Sequence, residues 1–222
     1  MPIGQYLGIG SLFMIGRAGT GIYVLIVGLS TLLCVGLALA EKVFARSVVQ
    51  RGALLVSNPS LDDPNFHHTV LLIVDHGPGG TLGLVLNRST DVPLSQALPD
   101  LAFLEGTGHR LFSGGPVEPT RPLVLYRLKE PIESARWIYG EIYIGGNKGL
   151  MERLVTNPQP TETFRVFAGH AGWAPGQLEY EMLQGAWGVL PAESFDVFDK
   201  DPATIWQDSL SLLQAPRVIA NQ

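Results

Sequence analysis

The chain has 222 residues, enough for one domain plus an appendage, and it is 46% hydrophobic but only 16% charged. Four of the fifteen basic residues (Arg17, Lys42, Arg46, Arg51) and one of the twenty acidic ones (Glu41) lie at or before Arg51, so the remainder carries a formal charge of −8 with its cations scattered. Binding to nucleic-acid phosphates needs clustered lysine and arginine, so direct nucleic-acid binding is disfavoured. The single cysteine, Cys34, falls outside the remainder, which therefore has no internal disulfide or thiolate metal site.

Residues 1–17 read as an N-terminal tail. From Ala18 to Ala40 no residue is charged, and the stretch is long enough for a transmembrane helix, since roughly 20 residues cross a bilayer. Two rivals stand beside this reading. One is a signal segment cleaved near Ala40, because Arg17 precedes the apolar run and Ala38-Leu39-Ala40 has a small-x-small pattern. The region before the apolar run is long for a signal unless translation starts at Met14, and the other rival is a buried or wrongly assigned extension. Lys42, Arg46 and Arg51 follow the segment against Arg17 alone before it, which places the following domain in the cytoplasm if the segment is an uncleaved anchor. Cleavage would leave the domain periplasmic or secreted.

After a link over 41–51, residues 52–222 read as one domain. Gly52 to Ser57 is a buried strand, and Thr69–Val74 and Thr81–Leu86 form an antiparallel pair around Asp75-His-Gly-Pro-Gly-Gly80. Asp91 to Leu98 is a short helix with Pro93 in its first turn. Arg110–Ser113, Pro122–Arg127 and Trp137–Ile144 are strands, and Asn147 caps a helix to Leu154. Phe164–Ala168 is a strand leading into a loop from Gly169 to Ala174, with Pro175 opening a helix that Gly185 ends. Trp187–Leu190 and Ser194–Phe198 are short strands, and Pro202–Leu213 is a final helix capped by Asp201, with Ile205, Trp206, Leu210 and Leu213 as its apolar stripe. Strands and helices without a regular βαβ repeat indicate α+β.

Chemistry-bearing residues are weighed against plain structural roles. His67, His68, Asp75 and His76 lack a metal-ligand spacing, so no metal is expected, nor any cofactor. Ser57, Ser60 and Ser113 do not sit in G-x-S-x-G. Asp62 and Asp63 could do acid–base work, but an Asp-Asp-Pro sequence more often caps or turns a loop. Gly114-Gly115 and Gly169 to Gly176 can present N–H groups to an anion beside the Pro175 helix, or simply permit tight packing. Gln177 and Glu181 share a helix face, Leu178 and Met182 point to the core, and Trp173 and Trp187 read as packing residues.

Three blocks resemble the YqgE/AlgH family of bacterial proteins. They are Leu55-Val-Ser-Asn-Pro-Ser-Leu-Asp-Asp-Pro-Asn-Phe66 with Thr69-Val70, His76 and Gly83-Leu-Val-Leu-Asn-Arg88; Gly114-Gly-Pro-Val117; and Gly169-His-Ala-Gly-Trp-Ala-Pro-Gly-Gln-Leu-Glu179 with Glu181 and Ala186-Trp187. The resemblance implies an antiparallel, bifurcated, barrel-like sheet with helices packed outside, and it brings the label of a transcriptional regulator without a biochemical activity. Two positions depart from the family pattern. Ile144-Gly-Gly-Asn-Lys148 stands where a Thr-Thr-Ser-Arg-Asp-like segment is expected, and His68 where an arginine is usual, so ligand contacts at those positions are not carried over.

The expectation is thus a non-catalytic binding or regulatory domain tethered to the cytoplasmic face of a membrane through residues 18–40. Its partner would be a protein or a small anionic ligand. The groove is expected to involve Asp62, Asp63, His76, Asn87, Arg88, Gly114, Gly115, Gly169, Gly172, Trp173, Gln177 and Glu181. The alternatives are an enzyme acting on a small anionic substrate, and a transcriptional regulator acting indirectly.

Overall fold

Leu54, Leu55, Val56 and Ser57 are all buried, which requires a strand covered on both faces. In the computed structural model, which describes residues 49–215, they form β1 (Leu54–Ser57), paired antiparallel with β2 (Val70–Gly77). Leu54, Val56 and Leu72 face one core layer, and Leu55, Leu71 and Ile73 face another. Strand side chains alternate between faces, so apolar residues at every position serve both layers. The tail, the 18–40 segment and the link before Val49 lie outside the described residues. Among those described, no helix is long and apolar enough to cross a membrane.

The expected hairpin partner of β2 is β3 (Gly80–Val85), with a register break between Ile73 and Asp75. The predicted Asp91–Leu98 helix is half right: Ser89–Pro93 is strand β4, and only Leu94–Ala97 is helical (α1), with Pro93 just outside it in extended conformation. Then come β5 (Arg110–Ser113) and β6 (Val117–Arg127), the latter starting five residues earlier than Pro122. The predicted Trp137–Ile144 strand is a hairpin of β7 (Ala135–Tyr139) and β8 (Ile142–Gly145), because Gly140, at φ 47°, turns the chain where an alternating apolar pattern gives no break. Asn147 caps α2 (Lys148–Thr156), its side-chain oxygen accepting from Leu150 N–H at 2.9 Å. Asn147→Ala is expected to lower stability by about 1 kcal/mol in urea denaturation.

β9 (Thr163–Trp173) runs straight through the glycine-rich stretch predicted as a loop. Helix α3 (Gln177–Leu183) begins after Gly176, at φ 79°, rather than at Pro175. Strand β10 (Trp187–Leu190) matches expectation, but Ser194–Phe198 is no strand: a 3-10 turn over Ala192–Ser194 leads into turns to Lys200. The last helix, α4 (Ile205–Gln214), starts later than Pro202; Asp201 caps the turn before it through Ala203 N–H at 2.9 Å, and Ile205 and Leu210 are buried as predicted.

The strand order is β10-β1-β2-β3-β9-β6-β8-β7, an α+β arrangement with helices against a curled sheet. The sheet forks at β9. One edge of β9 pairs antiparallel with β6, while β5 pairs in parallel with Val166–Ala168 and β3 antiparallel with Ala171–Trp173. At the far end Arg136 of β7 reaches back to β2, bonding Val74 O at 3.2 Å and pairing with Asp75 at 3.1 Å, beside Arg51 at 3.2 Å. Burial raises the Asp75 pKa, but Arg136 and Arg51 outweigh it and hold the carboxyl below its ordinary value.

Candidate functional site

The residues expected to line a groove fall into bonded sets. The first joins α3 to the sheet: the Glu181 carboxylate accepts from Trp173 Nε1 at 2.9 Å, Trp187 Nε1 at 2.8 Å and Gln177 Nε2 at 3.0 Å. Gln177 in turn accepts from Ala174 N–H at 3.1 Å, and Phe66 stacks against Trp173 with ring centroids 6.1 Å apart. Trp173, Trp187 and Leu178 are buried, as read from the sequence. A buried indole N–H needs an acceptor, and one carboxylate serves two of them.

A second set fixes the loop after β1. Asp63 accepts from Asn65 and Phe66 N–H, the turn role weighed against acid–base work. Asn87 accepts from Val70 N–H and donates to His68 O, and Arg88 donates to Thr69 Oγ1 at 3.2 Å. Asp62 is exposed beside them. His76 Nδ1 lies 2.8 Å from Thr81 Oγ1, and its Nε2 lies 3.9 Å from Glu179. The Ser57 hydroxyl is buried and accepts from Thr69 N–H and Trp206 Nε1, which occupies its oxygen with donors rather than a base.

The third set is the fork. The chain leaves β5 on one edge of β9 and enters β6 on the other, so residues 114–116 must cross β9. A Cβ on Gly114 would meet Gly169 O, one on Gly115 would meet the His170 backbone, and one on Gly169 would lie 2.5 Å from Gly115 O. Gly114 N–H donates to Ala168 O at 2.9 Å, so it holds the crossing together. Gly172 differs, with its nearest neighbour, Val117 Cγ2, 3.6 Å from a would-be Cβ.

None of the twelve lines a cleft of about 390 Å³ on the β5 side of the fork. In register Phe112 of β5 stands opposite Phe167 of β9, and Arg165 is two residues from Phe167 on the same face. Its guanidinium carbon consequently lies 4.3 Å from the Phe112 ring centroid and 5.4 Å from that of Phe198. Arg165 donates to Val197 O at 3.1 Å and Phe198 O at 3.3 Å. Among the described residues no carboxylate lies within 4.0 Å of it, although the next cation, Arg127, bonds Asp196 at 2.8 Å and Asp199 at 2.9 Å. Burial pulls the Arg165 pKa down to about 10, against the opposing pull of the nearby Asp196 and Asp199 charges, so the side chain stays charged at neutral pH. His109 stacks on Phe164 at 4.6 Å, and burial lowers its pKa.

A partly buried cation with aromatic faces, and with no carboxylate among the described residues in contact, is suited to hold an anion. These residues escaped sequence reasoning because they are remote from one another in the chain; the one signal was a charged residue inside Phe164-Arg-Val-Phe167. Among the described residues no three His, Cys, Asp or Glu side chains gather to hold a metal.

The model of the AlgH-like family matches residues 54–217. The chain belongs to the AlgH-like family. It is 39% identical over 163 residues to a UPF0301 protein of Streptomyces coelicolor, covering 72% of this chain and 84% of that one. A UPF0301 protein of Mycobacteroides abscessus is 36% identical over 162 residues, with 71% and 77% covered. The AlgH-like domain also superposes on the solution structure of the AlgH protein from Pseudomonas aeruginosa, with a TM-score of 0.60, 28% identity, and 78% and 98% of the two chains covered. Protein DIP2367 from Corynebacterium diphtheriae shares the fold at 24% identity, with a TM-score of 0.60.

Proposed function

We propose that the AlgH-like domain is a non-catalytic binding module whose ligand is a small anion held at Arg165. The carrying observation is the guanidinium in the 390 Å³ cleft, bonded to two carbonyl oxygens and flanked by two aromatic rings, with no carboxylate among the described residues in contact. Hydrogen bonds from a charged donor contribute about 1.5–3 kcal/mol. Arg165→Gln is therefore expected to weaken anion binding at least about tenfold. Calorimetry across a panel of carboxylates and phosphate esters should find saturable, Arg165-dependent heats without turnover. Indifference of every bound compound to Arg165→Gln rejects this site, and turnover lost in Asp63→Asn favours the enzyme reading.

The same proposal keeps the domain at the cytoplasmic face of a membrane, tethered through residues 18–40, on the strength of their uncharged length and the cations that follow. A regulatory output would then pass through a protein partner, which suits the acidic domain better than direct contact with DNA. Carbonate extraction with sequencing of the mature N-terminus checks the tether: the full chain should remain in the pellet, and release into the wash or a start at Glu41 rejects it.

A further inference from the structure

The turn carrying Asp196 to Asp199 lies against the cleft, and its ties to the sheet converge on two arginines. Arg127 holds both aspartates through Nη1, and Arg165 holds the backbone carbonyls of Val197 and Phe198. The two carboxylates are not equivalent. Asp196 also accepts from Phe198 and Asp199 N–H, at 2.8 Å and 3.3 Å, and so shapes the turn itself. The Asp199 side chain is 67% exposed, lines the cleft, and has Arg127 as its one bonded partner among the described residues.

We infer that the cleft takes a phosphate monoester of a small ring-bearing molecule, whose phosphoryl group bridges Arg165 and Arg127 and replaces Asp199 as the partner of Arg127. This rests on the anion-binding reading above and narrows it to one ligand class. Three arginines (Arg110, Arg127 and Arg165) and the hydroxyl residues Ser89 and Thr163 line the cleft, against Asp199 as its one lining carboxylate. Arg110 is already held by Asp91 at 3.3 Å, which leaves Arg127 and Arg165 as the guanidinium forks for a ligand, and two forks match the three terminal oxygens and double charge of a phosphoryl better than the two oxygens and single charge of a carboxylate. The volume, in the range of small-molecule pockets, exceeds what a bare anion fills. Phe198 and the His109 ring, the latter stacked on the buried Phe164, supply flat surfaces for the organic part.

Exchange at Arg127 is energetically accessible. The Asp199 end of the pair is open to solvent, which weakens it, although Arg127 itself is only 13% exposed, and Asp196 continues to hold the turn after Asp199 lets go. Binding would then free Asp199 while leaving the turn shaped.

The test uses the full chain in mild detergent, with phenyl phosphate, benzoate and inorganic phosphate as calorimetric probes. Phenyl phosphate is expected to bind at least about tenfold more tightly than either of the others, because only it offers both a dianion and a ring. Asp199→Asn, checked for folding by urea denaturation, should tighten phenyl phosphate up to about fivefold by removing the competing carboxylate. Arg165→Gln should abolish the heat. If benzoate binds as tightly as phenyl phosphate and in an Arg165-dependent way, the anion site stands and the phosphate inference is overturned. Absence of binding by all three overturns both readings, and an Asp199→Asn variant that folds but binds phenyl phosphate no better, or worse, overturns the exchange at Arg127.

Discussion

Gly115→Ala is expected to lower stability by more than about 3 kcal/mol and to send most of the protein into inclusion bodies. Gly115 sits at φ 146°, where an L-residue is strained by about 1–3 kcal/mol. Its new Cβ would also press into the backbone of His170 and Ala171. That backbone belongs to β9, the strand shared by both arms of the fork, so it cannot withdraw without breaking the pairings of Val117 with His170 and of Gly83 with Ala171. The informative control is Gly172→Ala, two residues beyond His170 on the same strand. Its neighbours leave room, and a change within about 0.5 kcal/mol is expected. Soluble yield and urea midpoints of the two variants decide the matter, since equal losses would mean that the crossing imposes no special demand for glycine.

The second large effect is at Glu181. Alanine there leaves two indole N–H groups without their acceptor, on side chains that are each only 5% exposed, and frees the Gln177 amide as well. Each buried donor left unpaired costs about 1–3 kcal/mol, so Glu181→Ala should lose about 2–4 kcal/mol. Glu181→Gln keeps one carbonyl oxygen able to accept from both indoles and should lose about half as much. Denaturant midpoints give the magnitudes, and the tryptophan emission maximum reports whether the indoles have become wetter. A loss below about 0.5 kcal/mol in the alanine variant would show that solvent reaches both rings.

Glu181 and Gly115 stood together in one expected groove because the family motif contains both, yet their physical roles differ. The i, i+4 spacing correctly put Gln177 and Glu181 on one helix face, where they bond at 3.0 Å. Nothing in that spacing indicates that the facing partners are Trp173 and Trp187, which arrive from two different strands. Gly169 and Gly172 look alike as letters in a glycine-rich run. The difference between them is what passes over the strand at each point, a pairing between residues more than fifty positions apart. The Gly140 turn inside an alternating run and the strand at Asp91–Val92 were missed for a related reason. Local periodicity cannot say whether a neighbour is present to pair with.

What the sequence by itself determined is the family, the α+β class, the helix-capping role of Asn147, and the strands whose apolar residues run without interruption. These are local properties, or a motif order that survives in linear form. Only the tertiary structure decided that the motif glycines mark a strand crossing, that Glu181 is the shared acceptor of two buried indoles, and that Arg165 has aromatic rings and, among the described residues, no carboxylate against it. Each of those facts depends on which groups are left unpaired after distant segments pack, a quantity that exists only once the chain has closed on itself.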